Sequence, residues 1–173
     1  MTDFLTPSSP DSDNSDLSFS SPSIVPATMT HFRQVLADHP RYWGDRDMRP
    51  LHVAALLHEF PTTSLVALAD DGIRGYIFGF VTPDRVGYIH LIATRDDTRG
   101  TGLGRRLYQA FADAARKQGA LTLKAITTFD NDRSIALHRS LGFSPREVEA
   151  YSGPGHDRIV FTRDLPPTPT RLV

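Results

Sequence analysis

A chain of 173 residues with 39% hydrophobic and 23% charged residues and a formal net charge of −1 has the size and composition of one soluble globular domain with a tail. That balance excludes nucleic acid as the default partner, and the absence of cysteine excludes disulfides, thiolate metal sites and a cysteine nucleophile. No apolar run nears the roughly 18 residues of a membrane helix, and the start shows neither the basic region nor the apolar core of a signal peptide, so a cytoplasmic protein with no membrane partner is expected.

Residues 1–22 are rich in Ser, Asp and Pro, and no Lys or Arg precedes Arg33. Such a segment has too little apolar surface to offset the entropy of ordering it, so it is read as a disordered tail. Residues 23–165 are read as a single domain and 166–173 as a short C-terminal tail. Within the domain, IVPAT (24–28) is a short first strand. MTHFRQVLADH (29–39) and MRPLHVAALLHEF (48–60) have helical periodicity, with Trp43 in the loop between them. TSLVALADD (63–71) and GIRGYIFGFVTPD (72–84) read as a hairpin closed around Asp71-Gly72, because that dipeptide accepts positive φ angles. RVGYIHLIAT (85–94) is the fourth strand.

From Gly102 to Gln118, Leu103, Leu107, Ala110, Phe111 and Ala114 recur at helical spacing, and Gly119 is placed to end the helix. A strand over 120–129, a helix over 132–142 and strands over 146–152 and 157–165 complete a mixed α/β order. Metal ligation is not indicated, since His138 and His156 lack the close His/carboxylate spacing such sites usually show.

The segment RDDTRGTGLGRRLYQAF (95–111) puts three glycines and four arginines at the start of one helix. A helix start leaves about four backbone N–H groups unpaired and carries roughly half a positive charge, which suits a phosphate. Gly100, Gly102 and Gly104 open the backbone to an anion, and Arg99, Arg105 and Arg106 can neutralise it. A dinucleotide fingerprint is excluded, because its third glycine would fall on Arg105 or Leu107, and a nucleotide P-loop is excluded because no Gly-Lys-Ser/Thr exists. Arg-x-x-Gly-x-Gly is present as Arg99, Gly102 and Gly104. It resembles the acyl-CoA pyrophosphate loop of the GNAT superfamily of N-acetyltransferases. NDRSIALHRSLGF (131–143) resembles a later pattern of that superfamily in Asn131, Ser134, Gly142 and Phe143. His138 stands where Tyr is usual, as in members similar to phosphinothricin acetyltransferases.

The resemblance implies an acyl-CoA N-acyltransferase domain. Its α/β fold would be a mixed, mainly antiparallel twisted sheet flanked by helices, with the fourth and fifth strands splayed. It implies acetyl-CoA as co-substrate and no metal. Ile92, Ala93 and Thr94 would contact the pantetheine arm, and Arg99, Gly100, Thr101, Gly102, Leu103, Gly104 and Arg105 the pyrophosphate. Asn131, Ser134 and His138 would contact CoA from the later helix, although Asn131 is equally an N-cap and Gly142-Phe143 equally a helix stop and a core aromatic.

An amine of a small molecule, whether amino-acid-like, an arylalkylamine or an antibiotic, would attack the thioester directly, in a monomer or homodimer. His138 shares a helix face with Ser134, Leu137 and Leu141; it is read as the acid for the departing thiolate or as a core histidine. Tyr88 and His90, two apart on the fourth strand, are candidates for the base or for aromatic packing. A backbone N–H near Ile92 would meet the oxyanion. Trp43, Phe60, Tyr88, His90 and Tyr151, with Tyr42, Glu59 and the loop 151–157, are expected around the acceptor. A protein N-terminus as acceptor, a catalytically inactive CoA-binding module and an interaction domain with a basic turn are the alternatives.

Overall fold

A computed structural model describes residues 21–166 of the chain. The tail expected over 1–22 therefore lies outside the described residues except for Ser21 and Pro22, and of the one expected over 166–173 only Pro166 is described. One seven-stranded sheet runs in the order β1 (Ser23–Pro26), β2 (Leu65–Ala69), β3 (Gly72–Val81), β4 (Val86–Thr94), β5 (Thr122–Thr127), β7 (Arg158–Asp164) and β6 (Ser144–Val148). Among these seven strands only β4 and β5 pair in parallel, because the crossover between them is long enough to hold a helix, α4 (Leu103–Lys117).

Two cores form, one on each face. On one, Phe32 and Val35 of α1 (Met29–Ala37), Tyr42 of α2 (His39–Trp43) and Leu57 of α3 (Ala55–Glu59) pack on Tyr76, Phe78 and Leu91. On the other, Leu107, Phe111 and Ala115 of α4 join Ile77, Ile89, Leu123 and Phe161, with Leu141 and Phe143 after α5 (Asp132–Ser140). The buried stripe of α4 is Leu103, Leu107, Tyr108, Phe111, Ala112 and Ala115, so Ala110 and Ala114 flank it and do not fill it.

α4 and α5 end in the same way. Gly119 and Gly142 take φ of +85° and +80°, and the amides of Ala120 and Phe143 return to the carbonyls of Ala115 and His138. This is the hydrogen-bonded stop a left-handed glycine permits.

Four local expectations change in the fold. The strand expected over 146–152 runs over Ser144–Val148 and gives way to a turn at Glu149 and Ala150, where Ala150 takes a φ of +48°. Trp43 ends the short helix α2 and is not in a loop. The helix expected over 48–60 is a 3₁₀ turn at Arg49–Leu51, then α3. The break falls at His52, whose backbone is extended while its ring bonds the Met48 carbonyl and the Tyr76 hydroxyl; tertiary hydrogen bonds override the periodicity. In the hairpin, Ala69 pairs with Gly72, and the positive φ is carried by Gly72 alone, not by the aspartates.

The pairing of β3 with β4 shifts between Phe78↔Leu91 and Gly79↔Ile89, which makes His90 an extra, bulged residue. The bulge reverses the alternation of the strand. Ile89 packs with the α4 core, whereas Leu91 and Ala93 pack with the α1–α3 core and Ile92 lies on the α4 side. Gly79 faces this bulge, and a Cβ there would lie 2.3 Å from the Tyr88 carbonyl oxygen and 2.7 Å from the Phe111 ring. Gly79→Ala is therefore expected to cost about 2–3 kcal/mol as overpacking against backbone. Urea unfolding measures this, and a midpoint equal to the wild type would contradict it.

Candidate active site

The β4–β5 ladder stops at Ile89↔Ala125, although β4 continues to Thr94 and β5 to Thr127. Beyond that point β4 pairs only with β3 and β5 only with β7, so the two central strands part. The residues expected to contact the pantetheine arm, Ile92, Ala93 and Thr94, are the parted end of β4.

The chain leaves β4 through the 3₁₀ turn Asp96–Thr98 and enters α4 at Gly102, whose φ of +79° makes it a left-handed N-cap. Gly100 is also left-handed, at +78°. A Cβ added at Gly100, Gly102 or Gly104 would meet no protein atom within 4 Å, so the helix start faces open space. The first turn of α4 has no acidic residue, and Arg105 and Arg106 are exposed. Their guanidinium groups donate to the Ser140 carbonyl (3.1 Å) and the Pro22 carbonyl (2.6 Å), while Arg99 pairs with Asp96. Buried Arg95 pairs with Asp97 and, at 3.1 Å, with Asp71, which ties the turn to the β2–β3 hairpin. Arg99, Gly100, Thr101, Gly102, Leu103, Gly104 and Arg105 thus form one open, basic helix start whose residues fit an anion.

On α5 the Asn131 side chain accepts from the Ser134 amide at 3.1 Å, as an N-cap. His138 is 3% exposed, stacks on Phe161 with centroids 4.1 Å apart, and meets Tyr108 and Phe143 edge-on. Its Nδ1 donates to the Ser134 carbonyl (2.7 Å), so its Nε2 accepts from the Tyr108 hydroxyl (2.6 Å). Burial holds this ring below the usual histidine range. The neutral imidazole has no N–H left for a departing thiolate.

His90 is placed differently. Its Nε2 is 2.8 Å from the Leu51 carbonyl, which can only accept, so Nε2 donates there and Nδ1 is left without a protein partner among the described residues. Two residues earlier on the same face, Tyr88 packs on Phe80 (5.3 Å), which packs on Phe60 (5.2 Å). Burial, with Tyr151 nearby, pushes the Tyr88 hydroxyl up to about 12, so at neutral pH it donates and does not act as a base. Tyr88 and Tyr151 line a cavity of about 180 Å³ with Phe80, Asp84 and Lys124, and through Phe80 and Thr82 it adjoins a larger one of about 550 Å³ that includes Phe60.

Trp43 does not line either cavity. Its indole donates to the Tyr76 hydroxyl at 2.7 Å, and Tyr42 donates to the Ile73 carbonyl at 2.7 Å, so both serve the core. Glu59 is exposed at the end of α3.

Sequence reasoning missed Lys124, His52 and Tyr76. For Lys124 a signal existed, because a lysine in mid-strand is unusual where parallel pairing favours an apolar run. For the other two none existed. The chain Trp43 Nε1, Tyr76 hydroxyl, His52 Nε2, with His52 Nδ1 donating to the Met48 carbonyl, joins residues that the fold alone brings together.

His52 and His138 are both held below the usual histidine range, chiefly by burial. The unfolded chain takes up protons below about pH 6.5 that these folded rings refuse. Stability is full above that pH and falls as pH drops, by up to about 1.4 kcal/mol per pH unit for each ring. The melting temperature is expected to fall steeply between pH 7 and 5 and less steeply in His138→Gln; identical slopes would contradict this.

Among the described residues no group of three or more His, Cys, Asp or Glu is placed to hold a metal ion, and no helix is long and apolar enough to cross a membrane. Residues 29–143 match the family described as Acetyltransferase (GNAT) family. An L-methionine sulfoximine/L-methionine sulfone acetyltransferase of Pseudomonas aeruginosa is 48% identical over 54 residues, 31% of this chain and 31% of that protein. N-alpha-acetyltransferase 30 of Schizosaccharomyces pombe is 31% identical over 91 residues, 50% of this chain and 61% of that protein. The matches thus span less than two thirds of these relatives. The solved structure of Ard1 from Thermoplasma volcanium has a TM-score of 0.71 at 20% identity, covering 83% of this chain and 97% of that one, which shows a shared fold.

Proposed function

Because the chain belongs to the acetyltransferase (GNAT) family, we propose that it moves an acetyl group from acetyl-CoA to an amine of a small molecule. The observation that carries the reading is the parting of β4 from β5 beside a glycine-lined, basic helix start. The slot suits the pantetheine arm and the helix start suits the pyrophosphate. Solved relatives with this fold include a NatB complex bound to CoA.

In the proposed reaction the amine nitrogen attacks the thioester carbonyl carbon, and His90 Nδ1 takes the amine proton directly or through a water. A backbone N–H near Ile92 on the parted edge of β4 meets the oxyanion. Collapse breaks the C–S bond and leaves an amide and the CoA thiolate. With a thiol pKa of about 8.5 the thiolate takes its proton from solvent. His138, stacked and fully hydrogen-bonded, is assigned to holding Tyr108 and α5 in place.

An amino-acid-like acceptor is favoured by the 48% identity over 54 residues to an L-methionine sulfoximine/L-methionine sulfone acetyltransferase, while the similarity to N-alpha-acetyltransferase 30 keeps a protein N-terminus as the second reading. The test is calorimetry with acetyl-CoA against ADP, followed by thiol release with amino acids, arylalkylamines and peptides. Acetyl-CoA-selective binding with amine-dependent thiol release supports the reading. Selective binding with no release from any amine leaves a CoA-binding module, and equal binding of ADP sinks the cofactor assignment.

A further inference from the structure

We propose that Lys124 reads a carboxylate on the acceptor, so that the acceptor is an α-amino acid or a close analogue, not a simple amine or a peptide N-terminus. This rests on the acetyl-transfer reading above and names the substrate class of that same site.

Strand register sets the geometry. Tyr88↔Lys124 is the next-to-last pair of the parallel ladder, and the strands part after Ile89↔Ala125. Leu123 and Ala125 pack into the α4 core, so Lys124 lies on the opposite face, the one that carries Tyr88 and His90. His90 is two residues beyond Tyr88, roughly 7 Å along the strand at about 3.3 Å per residue. A lysine stem covers much of that distance. An amino group presented at the parting therefore has its own α-carboxylate on the Lys124 side.

The lysine is also unspent. Of the chain's two lysines, Lys117 is exposed on α4 and Lys124 is half-buried in the cavity wall. Its Nζ stands 5.4 Å from the centroid of the Tyr151 ring, and among the described residues no carboxylate forms an ion pair with it. Asp84 attracts it only through space. An ammonium partly removed from water against aromatic walls gains most from an anion the ligand brings, because its desolvation is already partly met by the fold.

The cavity has two ends. Lys124 marks the end near the parting, and Asp84, in the turn before β4, marks the far end. A carboxylate is attracted at the first and repelled at the second, which orients the molecule with its amine inward and its side chain along Phe80 and Tyr88. A volume of about 180 Å³ holds an amino-acid side chain. A peptide N-terminus would place a neutral amide opposite Lys124 and leave the charge unpaired.

The experiment measures kcat/KM for L-methionine sulfone and for its carboxamide, which keeps the amine and removes the carboxylate, in wild type, Lys124→Met and Lys124→Arg. The same comparison is made with L-phenylalanine and phenethylamine. The wild type is expected to favour the carboxylates by about 30-fold or more, mainly through KM. Lys124→Met is expected to bring that ratio near one, and Lys124→Arg to restore much of it. A ratio unchanged by Lys124→Met in a folded variant overturns the proposal.

Saturation-transfer NMR with L-methionine sulfone and CoA separates the two levels of inference. Binding lost in Lys124→Met with no turnover in the wild type supports the carboxylate site and sinks acetyl transfer. Binding equal in both proteins sinks the carboxylate site whatever the turnover.

Discussion

Replacing His90 by glutamine is expected to lower kcat by about 10²- to 10³-fold, within the roughly 10²- to 10⁴-fold that a positioned base contributes, with little change in acetyl-CoA affinity. Glutamine retains an N–H for the Leu51 carbonyl that His90 Nε2 now occupies at 2.8 Å, so the strand is held while the basic nitrogen is lost. His52 and His138 each have both ring nitrogens engaged, which leaves His90 as the histidine of the site with a ring nitrogen that meets no protein partner among the described residues. The defect should shrink at alkaline pH, where the acceptor loses its proton unaided. Steady-state kinetics across pH, paired with calorimetry of acetyl-CoA, decide this. A kcat within about threefold of the wild type would remove His90 from proton transfer, because a working base supplies far more than that.

The second large effect is expected at Gly104. Its backbone is helical and a Cβ there meets nothing within 4 Å, so Gly104→Ala should keep the fold and raise its stability by up to about 1 kcal/mol through helix propensity. The same methyl group occupies the space assigned to the pyrophosphate. Acetyl-CoA affinity is therefore expected to fall while the melting temperature rises, an opposition that a purely structural glycine cannot produce. Gly104→Glu adds a negative charge at the positive end of α4, and binding should be lost to calorimetry. Full affinity in both variants would show that the phosphates do not sit at this helix start. Gly100 and Gly102 serve less well as probes, since their φ angles of +78° and +79° make any side chain a backbone strain as well.

The two segments that carried the family resemblance were legible because each is local. Arg99, Gly102 and Gly104 lie within one turn and helix start, and Asn131 to Phe143 within one capped helix. The helix stops at Gly119 and Gly142 were legible for the same reason, since a left-handed glycine and two returning hydrogen bonds involve only neighbours in sequence. Local rules failed at His52, where a helical pattern of thirteen residues was broken by bonds to Met48 and Tyr76. They failed again at His138, whose inward face was correctly assigned but whose hydrogen bond to Tyr108 comes from another helix 30 residues away.

The sequence by itself determined the order of strands and helices, the glycine and arginine helix start, and through them the family. Those features depend on periodicities and turn residues that act over a few positions. Only the tertiary structure decided that His90, unlike His52 and His138, keeps a ring nitrogen with no protein partner among the described residues, that a bulge at His90 sends Leu91 and Ile89 to opposite faces, and that Lys124 meets Tyr88 and Tyr151 in one cavity. Each of these is set by register between strands distant in sequence, and a shift of one residue reverses every side chain beyond it. Spacing along the chain carries no record of that register.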